Sequence, residues 1–277
     1  METTIANEKE VHYDEPDPDS ALSRGGPCAA TLKLRILGPL EVLEDGCTLP
    51  LGGKMVRALL VALLLHAREV RTTDQLIDDL WGDRPPATAR ASLHNKLSTL
   101  RRMLGHELLE TNRAGYLLSV CQDQVDVSCF EGLIARARRE NPGEKVRLLE
   151  AALALWRGSP LLDVRYEDFA QGEIRRLEEL HVSALEELFA AKLELGACAA
   201  VVPELQRLIE NFPFREQLRM QLMLALYRSG RSVEALASYD DWRRTLVDWS
   251  LEPGRDIRQL WDDIRLRAPG LEVAVTN

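Results

Sequence analysis

The sequence predicts an α+β domain over residues 32–125 followed by an all-α domain over residues 126–277. Short alternating apolar segments occur before residue 52 and after residue 107, whereas the segments between them have helical periodicity. From residue 126 onward the helical pattern continues almost without a break. A chain of 277 residues, 45% of them apolar, can build a core in each domain.

Residues 1–31 carry seven acidic and two basic side chains, interrupted by Pro16, Pro18 and Pro27. This composition predicts a disordered acidic leader, for which a solvated tail is favoured over an activation segment. No apolar signal sequence opens the chain, and the run Ala58–Leu65 is too short to span a bilayer. We therefore expect a cytoplasmic protein without membrane contact.

The five cysteines are scattered, and no pair has the spacing of a zinc site. They are expected to be buried small apolar residues in a reducing compartment. No phosphate-binding loop, Gly-rich dinucleotide turn, metalloprotease motif or nucleophile elbow occurs in the sequence. The sequence therefore predicts no metal, no cofactor, no catalytic residue and no ATPase module, so the protein is not expected to be an enzyme.

The first domain opens with three strand-like segments. Alternation at Leu34 and Ile36 predicts the first, Leu40–Leu43 the second and Thr48–Leu51 the third. The pair Asp45-Gly46 is typical of a two-residue hairpin turn between the last two.

Three helices follow. Residues 54–66 are almost entirely apolar and predict a buried helix. Thr72 or Thr73 is expected to cap a second helix that ends at Trp81-Gly82. Thr88 is expected to cap a third helix, residues 88–104, which ends at Gly105.

The third helix has two unlike faces. One is apolar, with Leu93, Leu97, Leu100 and Leu104; the opposite one is small, polar and cationic, with Ala91, Asn95, Ser98 and Arg102. Residues 84–113 hold six basic and two acidic residues, a basic island in a chain of net charge −9. Such a helix can enter a DNA major groove, although an amphipathic helix is more often a solvated surface helix.

Two further strands, Leu108–Thr111 and Tyr116–Val120, flank a turn at Asn112–Gly115. Together these elements predict a winged helix-turn-helix, with the hairpin as the wing. Arg113 at its tip suits a phosphate or minor-groove contact, and equally an ordinary solvated turn. The candidate DNA-binding residues are Thr88, Arg90, His94, Asn95, Ser98, Thr99, Arg101, Arg102 and Arg113.

The second domain is predicted to be a tetratricopeptide-like helical-repeat domain. A long amphipathic helix over 167–195 ends at Gly196, and a matching break at Ser229-Gly230 lies 34 residues later. Ala235 is expected to allow close helix packing and Tyr239 to fill the groove between helices. His181 is interpreted as structural, and four tryptophans as core: Trp156, Trp242, Trp249 and Trp261.

Several strings resemble the Streptomyces antibiotic regulatory protein family: Ile36–Val42, Leu76–Gly82 with Pro85-Pro86, Leu100–Arg102, and Gly115-Tyr116. The resemblance covers nearly all of the chain after residue 31. It implies an OmpR-like winged helix followed by a bacterial transcriptional activation domain. It also implies activation of a secondary-metabolite (antibiotic) gene cluster through direct repeats of promoter DNA. A homodimer is expected on DNA, in which the helical array either bridges the two copies or holds RNA polymerase through its sigma factor.

The third helix departs from the family in part. Many relatives read Asn-Ala-Leu-Gln-Val-His-Val-Ser where this chain has Ala91–Ser98. The core positions and Ser98 fit, but the outward residues differ, so the relatives' DNA sequence preference is not transferred. The alternative function is a tetratricopeptide-type adaptor whose winged helix docks protein. The basic island argues against this alternative.

Overall fold

The structure is a computed structural model that describes residues 32–271. The predicted leader, residues 1–31, lies outside the described residues. The strands are β1 (Lys33–Arg35), β2 (Glu41–Glu44), β3 (Cys47–Thr48), β4 (Val70–Arg71), β5 (Leu109–Thr111) and β6 (Tyr116–Leu118). The helices are α1 (Lys54–Leu65), α2 (Thr73–Trp81), α3 (Ala89–Leu104), α4 (Asp126–Ala137), α5 (Pro142–Leu153), α6 (Asp168–Glu194), α7 (Cys198–Asn211), α8 (Glu216–Arg228), α9 (Ser232–Asp248) and α10 (Arg255–Leu266).

The first sheet is antiparallel in the order β1-β2-β3. Asp45 and Gly46 both have positive φ, 50° and 81°, as a two-residue hairpin with the right-handed strand twist requires. The predicted third strand, residues 48–51, is instead the shorter β3, Cys47–Thr48. It pairs with the end of β2 only at Leu43 and Glu44.

The helix-turn-helix follows the prediction closely. Thr72 caps α2 in a reciprocal capping box with Gln75, and Gly82 ends that helix. Thr88 stands at the N-cap of α3, but its side chain makes no capping hydrogen bond. The reason is local geometry: Thr88 has φ −93° and ψ 6°, not the extended conformation that aims a cap side chain at the first turn.

The wing is a three-stranded sheet in the order β4-β6-β5. Strand β4 was not predicted, because two residues are too few to show a periodicity. Its Arg71 pairs with Tyr116 of β6, directly beside Gly115. A Cβ at Gly115 would lie 2.2 Å from the Arg71 carbonyl oxygen, so only glycine lets the wing turn pass this close to β4.

The helical region confirms the predicted repeat architecture. Helix α6 spans nearly the whole predicted segment, and Gly196 and Gly230 both have φ 78°. At each glycine the next residue's N–H donates to the carbonyl four residues before the glycine, the hydrogen-bond pattern of a Schellman C-cap. Helix α8 packs against α6, α7 and α9, and both Ala235 and Tyr239 are buried as expected.

The expectations for single aromatic and cysteine residues are confirmed only in part. Trp242 is buried and Trp156 and Trp261 are half-buried, but Trp249 is 65% exposed, because it follows the last turn of α9. His181 stacks on Trp156, with ring centroids 4.1 Å apart. Among the described cysteines Cys198 is buried, whereas Cys129 is half-buried, Cys47 is exposed and Cys121 is disulfide-bonded.

The hydrophobic core crosses the predicted boundary at residues 125 and 126. One continuous cluster of buried side chains runs from Leu32 to Leu188 and includes residues of β1, β2, β5, β6 and α1–α6. A second cluster extends from Phe189 through α7–α10. The winged helix and the first helices of the helical region are therefore packed together rather than joined by a free linker.

A buried carboxylate fixes the junction between these parts. Asp126, the first residue of α4, accepts hydrogen bonds from the backbone N–H groups of Ile36 and Leu37 at 2.9–3.0 Å. The Arg157 guanidinium lies 3.6 Å from the same carboxylate. Burial raises the pKa of Asp126 above its ordinary value, although these donors and Arg157 act against that rise.

A second carboxylate holds the adjoining loop. Asp163 accepts from the backbone N–H of Leu40 at 2.5 Å and from Arg57 Nε of α1 at 2.6 Å. Burial acts to raise the pKa of Asp163, but these hydrogen bonds outweigh it and leave the pKa below its ordinary value. Both contacts reach from the helical region into the first domain.

Within residues 32–271, no helix is both long and apolar enough to cross a bilayer.

Replacement of Asp126 by alanine is expected to lower the free energy of unfolding by about 3 kcal/mol. The change leaves two buried N–H donors without an acceptor and Arg157 without one of its carboxylate partners. Urea unfolding measures the effect. The matched control Glu140→Ala removes an exposed carboxylate and should change stability by no more than about 0.5 kcal/mol. Equal midpoints for both variants would contradict the anchoring role.

Gly115→Ala is expected to destabilise the protein by about 1–3 kcal/mol, since the new methyl group would overlap the Arg71 carbonyl. Thermal unfolding measures the loss. The control is Gly132→Ala within α4, where an added Cβ meets nothing within 4 Å. That change should be neutral or stabilise by about 0.5–1 kcal/mol, because alanine is the better helix former. A Gly115→Ala protein as stable as the parent would show that the turn between β5 and β6 can move away from β4.

Candidate nucleic-acid interface

Helix α3 is held by one apolar face. Leu93, Leu97 and Leu100 are at most 1% exposed, and Ala89 and Leu104 are also buried. The helix packs against α1, α2 and β5. This seating confirms the predicted core face and fixes which side chains point away from the protein.

The opposite face of α3 is exposed. Ala91, His94, Asn95, Ser98 and Arg102 are all accessible to solvent. Within residues 32–271 the side chains of His94, Asn95 and Arg102 make no hydrogen bond and no ion pair. The His94 imidazole and the Asn95 amide can each donate and accept a hydrogen bond, and the Arg102 guanidinium can donate; all three are available to a ligand.

Two hydroxyl groups on this helix are partly engaged. Ser98 Oγ donates to the His94 carbonyl at 2.9 Å, and Thr99 Oγ1 donates to the Asn95 carbonyl at 3.0 Å. Thr99 is also half-buried, whereas Ser98 is exposed. Because each hydroxyl proton is directed to the backbone, the oxygens remain free mainly as acceptors.

The beginning of α3 carries a compensated charge. Arg90 forms an exposed ion pair with Asp74 in the first turn of α2, with 2.7 Å between the charged atoms. Thr88 beside it is exposed. Exposed pairs of this kind are weak, so an approaching phosphate can compete with Asp74 for the guanidinium.

Arg101 is tied to the wing rather than free. Its Nε donates to the Leu109 carbonyl at 3.1 Å, its terminal nitrogen donates to Thr111 Oγ1, and its guanidinium carbon lies 6.0 Å from the Tyr116 ring centre. These contacts reach both strands β5 and β6 from one side chain on α3. The arrangement fixes the angle between helix and wing, a function that sequence periodicity alone did not indicate.

The wing tip is a closed, exposed turn. Asn112 Oδ1 accepts from the backbone N–H groups of Ala114 and Gly115, both at 2.9 Å. Arg113 lies at the top of this turn, exposed and without a hydrogen bond or ion pair within the described part of the chain. Two exposed guanidinium groups without a partner among the described residues therefore lie near this face: Arg113 on the wing and Arg102 on α3.

One structural contribution was missed entirely by sequence reasoning. Arg71 of β4 forms a largely buried ion pair with Asp79 of α2, at 2.7 Å. Since β4 is also a strand of the wing sheet, this pair links the first helix of the helix-turn-helix to the wing. Two charged residues separated by eight positions carry no recognisable signal in a single sequence.

Comparison with protein-family models identifies both halves of the chain. Residues 51–118 match the C-terminal domain of transcriptional regulatory proteins, and residues 125–265 match the bacterial transcriptional activator domain.

Several regulators are similar over most of the chain. The regulatory protein DnrI of Streptomyces peucetius is 33% identical over 257 residues, which cover 87% of this chain and 94% of the relative. The regulatory protein AfsR of Streptomyces coelicolor is 37% identical over 249 residues, 88% of this chain and 25% of the relative. The chain therefore spans about a quarter of the length of the AfsR proteins that it matches.

A solved structure, Mycobacterium tuberculosis EmbR in complex with a low-affinity phosphopeptide, has the same fold, with a TM-score of 0.81 at 34% identity. The similarity covers 86% of this chain and 66% of EmbR. The two family models, the match to nearly all of DnrI and the fold shared with EmbR all indicate the same family. This chain belongs to the Streptomyces antibiotic regulatory protein family of transcriptional activators, with a winged helix followed by a helical activator domain.

Proposed function

We propose that this activator binds promoter DNA through α3 and the wing, and that it controls a secondary-metabolite gene cluster. In this proposal α3 enters the major groove. His94, Asn95, Ser98 and Arg102 contact base edges or phosphates, and Thr88 and Arg90 contact the backbone at the start of the helix. The observation that carries the proposal is the polar face of α3, exposed beside an exposed wing tip.

The chemistry of this face suits base recognition. Asn and Arg side chains can form paired hydrogen bonds to adenine and guanine, respectively, in the major groove. Asn95 and Arg102 use none of this capacity within residues 32–271. Thr99, half-buried and bonded to the backbone, is proposed to contact DNA through its oxygen only.

The wing has a separate task in the proposal. Arg113 contacts a phosphate or the minor groove beside the site of α3. Arg101 contributes chiefly by holding the wing at a fixed angle to α3, since its guanidinium is already directed to Leu109, Thr111 and Tyr116. One DNA duplex can then meet both elements without a rearrangement of the protein.

We further propose that two copies bind direct repeats about one helical turn apart and that the helical domain contacts RNA polymerase with its sigma factor. The shared core gives support, because it holds the helical region in a fixed position relative to α3. An exposed aromatic pair, Phe214 and Trp249 with ring centroids 5.6 Å apart, offers an apolar contact surface on that region.

Fluorescence anisotropy with labelled duplexes from the promoters beside the protein's own gene tests the proposal. We expect saturable binding that survives an excess of unrelated competitor DNA and that involves two copies on a duplex with both repeats. Failure to bind any of these duplexes more tightly than unrelated DNA would contradict the proposal and favour an adaptor that docks protein.

Arg102→Ala is expected to weaken specific binding by about 1–3 kcal/mol, roughly a 5- to 150-fold rise in Kd, if Arg102 pairs with guanine. The control is Arg207→Ala, which removes an exposed arginine from α7. That helix packs in the second core cluster, apart from α3. That variant should bind DNA as the parent does. Equal losses for the two variants would indicate that net charge, and not the α3 face, governs affinity.

The salt dependence of binding provides an independent prediction. If one copy neutralises about five phosphates with its basic island, log affinity should fall against log salt concentration with a slope of about −4.5. The same anisotropy assay across a salt series measures this slope. A slope close to zero would exclude the electrostatic part of the proposed contact.

A further inference from the structure

A cleft of about 610 Å³ lies within the helical region, and none of its lining residues belongs to α3 or the wing. It opens where the connection between α5 and α6 meets α6 and the end of α7. Its apolar walls are Leu153, Trp156, Pro160 and Phe212. A cleft of this volume and mixed lining is in the range of small-molecule sites.

Aromatic rings form one wall of the cleft in a fixed stack. Trp156 packs edge-on against the fully buried Phe130, with centroids 5.5 Å apart. Trp156 also lies nearly parallel to His181, with ring centroids 4.1 Å apart and an interplanar angle of 18°. Because Phe130 belongs to the core, its contact fixes Trp156, and Trp156 and His181 together line the cleft.

The polar groups around the cleft lack protein partners. The indole Nε1 of Trp156 is buried without an acceptor. Within residues 32–271, Ser159, Glu178 and His181 form no side-chain hydrogen bond or ion pair. Burial lowers the pKa of His181, so its ring is neutral near pH 7 and offers one donor and one acceptor. Ser159 and Glu178 are exposed to solvent, whereas the buried indole N–H of Trp156 is left without an acceptor at this concave site, a feature that a ligand acceptor would satisfy.

The charge of the lining indicates the ligand. Glu178 is the only charged residue that lines the described cleft, and it is exposed at the cleft while Trp156 and His181 are half-buried. A cationic amine therefore complements the carboxylate, and a flat ring complements the aromatic stack. An anionic ligand would face the uncompensated Glu178 carboxylate. We propose that this cleft binds a small aromatic amine, with its ring against Trp156 and His181 and its ammonium group at Glu178.

The cleft lies next to the junction between the winged helix and the helical region, so a bound ligand would affect that junction. The chain that lines it, residues 156–160, runs directly into the junction: Arg157 N–H donates to the Leu37 carbonyl and Leu161 N–H to the Ile36 carbonyl, both at 2.8 Å. Asp126 accepts hydrogen bonds from the N–H groups of the same two residues, Ile36 and Leu37. A bound ligand would thus stabilise the segment that joins the winged helix to the helical region. The binding step itself does not depend on the proposed DNA contact.

The test uses tryptamine as the probe and the full chain labelled with 5-fluorotryptophan. The protein has five tryptophans, and Trp156→Phe assigns the resonance of that position in fluorine NMR. We expect tryptamine to shift the Trp156 resonance saturably, with a Kd on the order of 1 mM, as suits about a dozen non-hydrogen atoms. The exposed Trp249 serves as an internal control for non-specific contact with aromatic surface.

Two charge variants separate the site from general attraction. Glu178→Gln should raise the Kd for tryptamine about two- to fivefold, whereas Glu194→Gln, another exposed position on α6, should leave it unchanged. Indole-3-propionate, with the same ring and the opposite charge, should bind more weakly than tryptamine. No saturable shift at Trp156, equal shifts at Trp156 and Trp249, or equal effects of the two variants would each overturn the proposal.

Discussion

The carboxylate of Asp126 is the contact on which the geometry of the whole molecule depends. It stands at the start of α4 and binds two backbone N–H groups of the loop that follows β1. The backbone of Val125, one residue earlier, pairs in parallel with Leu34 of the same strand. The chain therefore leaves the winged helix through a single backbone bridge to β1 and enters α4 at the next residue.

A chain of consequences follows from this anchor. Because the first sheet, α1 and α4–α6 share one core, the helical region has a fixed orientation relative to α1. Helix α1 in turn packs against α3 and fixes which face of α3 is exposed. Arg101 then holds the wing against α3, and the Arg71–Asp79 pair holds it against α2. The proposed DNA contact thus depends on hydrogen bonds and ion pairs between residues that do not themselves face the DNA.

The secondary structure and the exposed face of α3 were predictable because both follow from local chemistry. Leucines at helical spacing must be buried, so Leu93, Leu97 and Leu100 already determine that Asn95 and Arg102 face outward. Gly196 and Gly230 end their helices because their backbone adopts a conformation that glycine favours. The prediction that Trp249 is a core residue was wrong. Its exposure depends on where α9 ends, and the amino-acid composition does not determine that position. The two-residue strand β4 could not be predicted from the sequence, because only its pairing with β6 defines it as a strand.

By itself, the sequence determined the order of the elements, the winged helix, the helical repeats and the basic island. Each of these features depends on residues that lie close together along the chain. The tertiary structure alone decided that the core crosses residue 125, that Arg101 serves the wing, and that Trp156 and His181 line one cleft with Phe212. Each of these depends on pairs far apart in sequence, such as Ile36 with Asp126, ninety positions away. Single-sequence periodicity describes which face of an element is apolar, but it does not state which distant element covers that face.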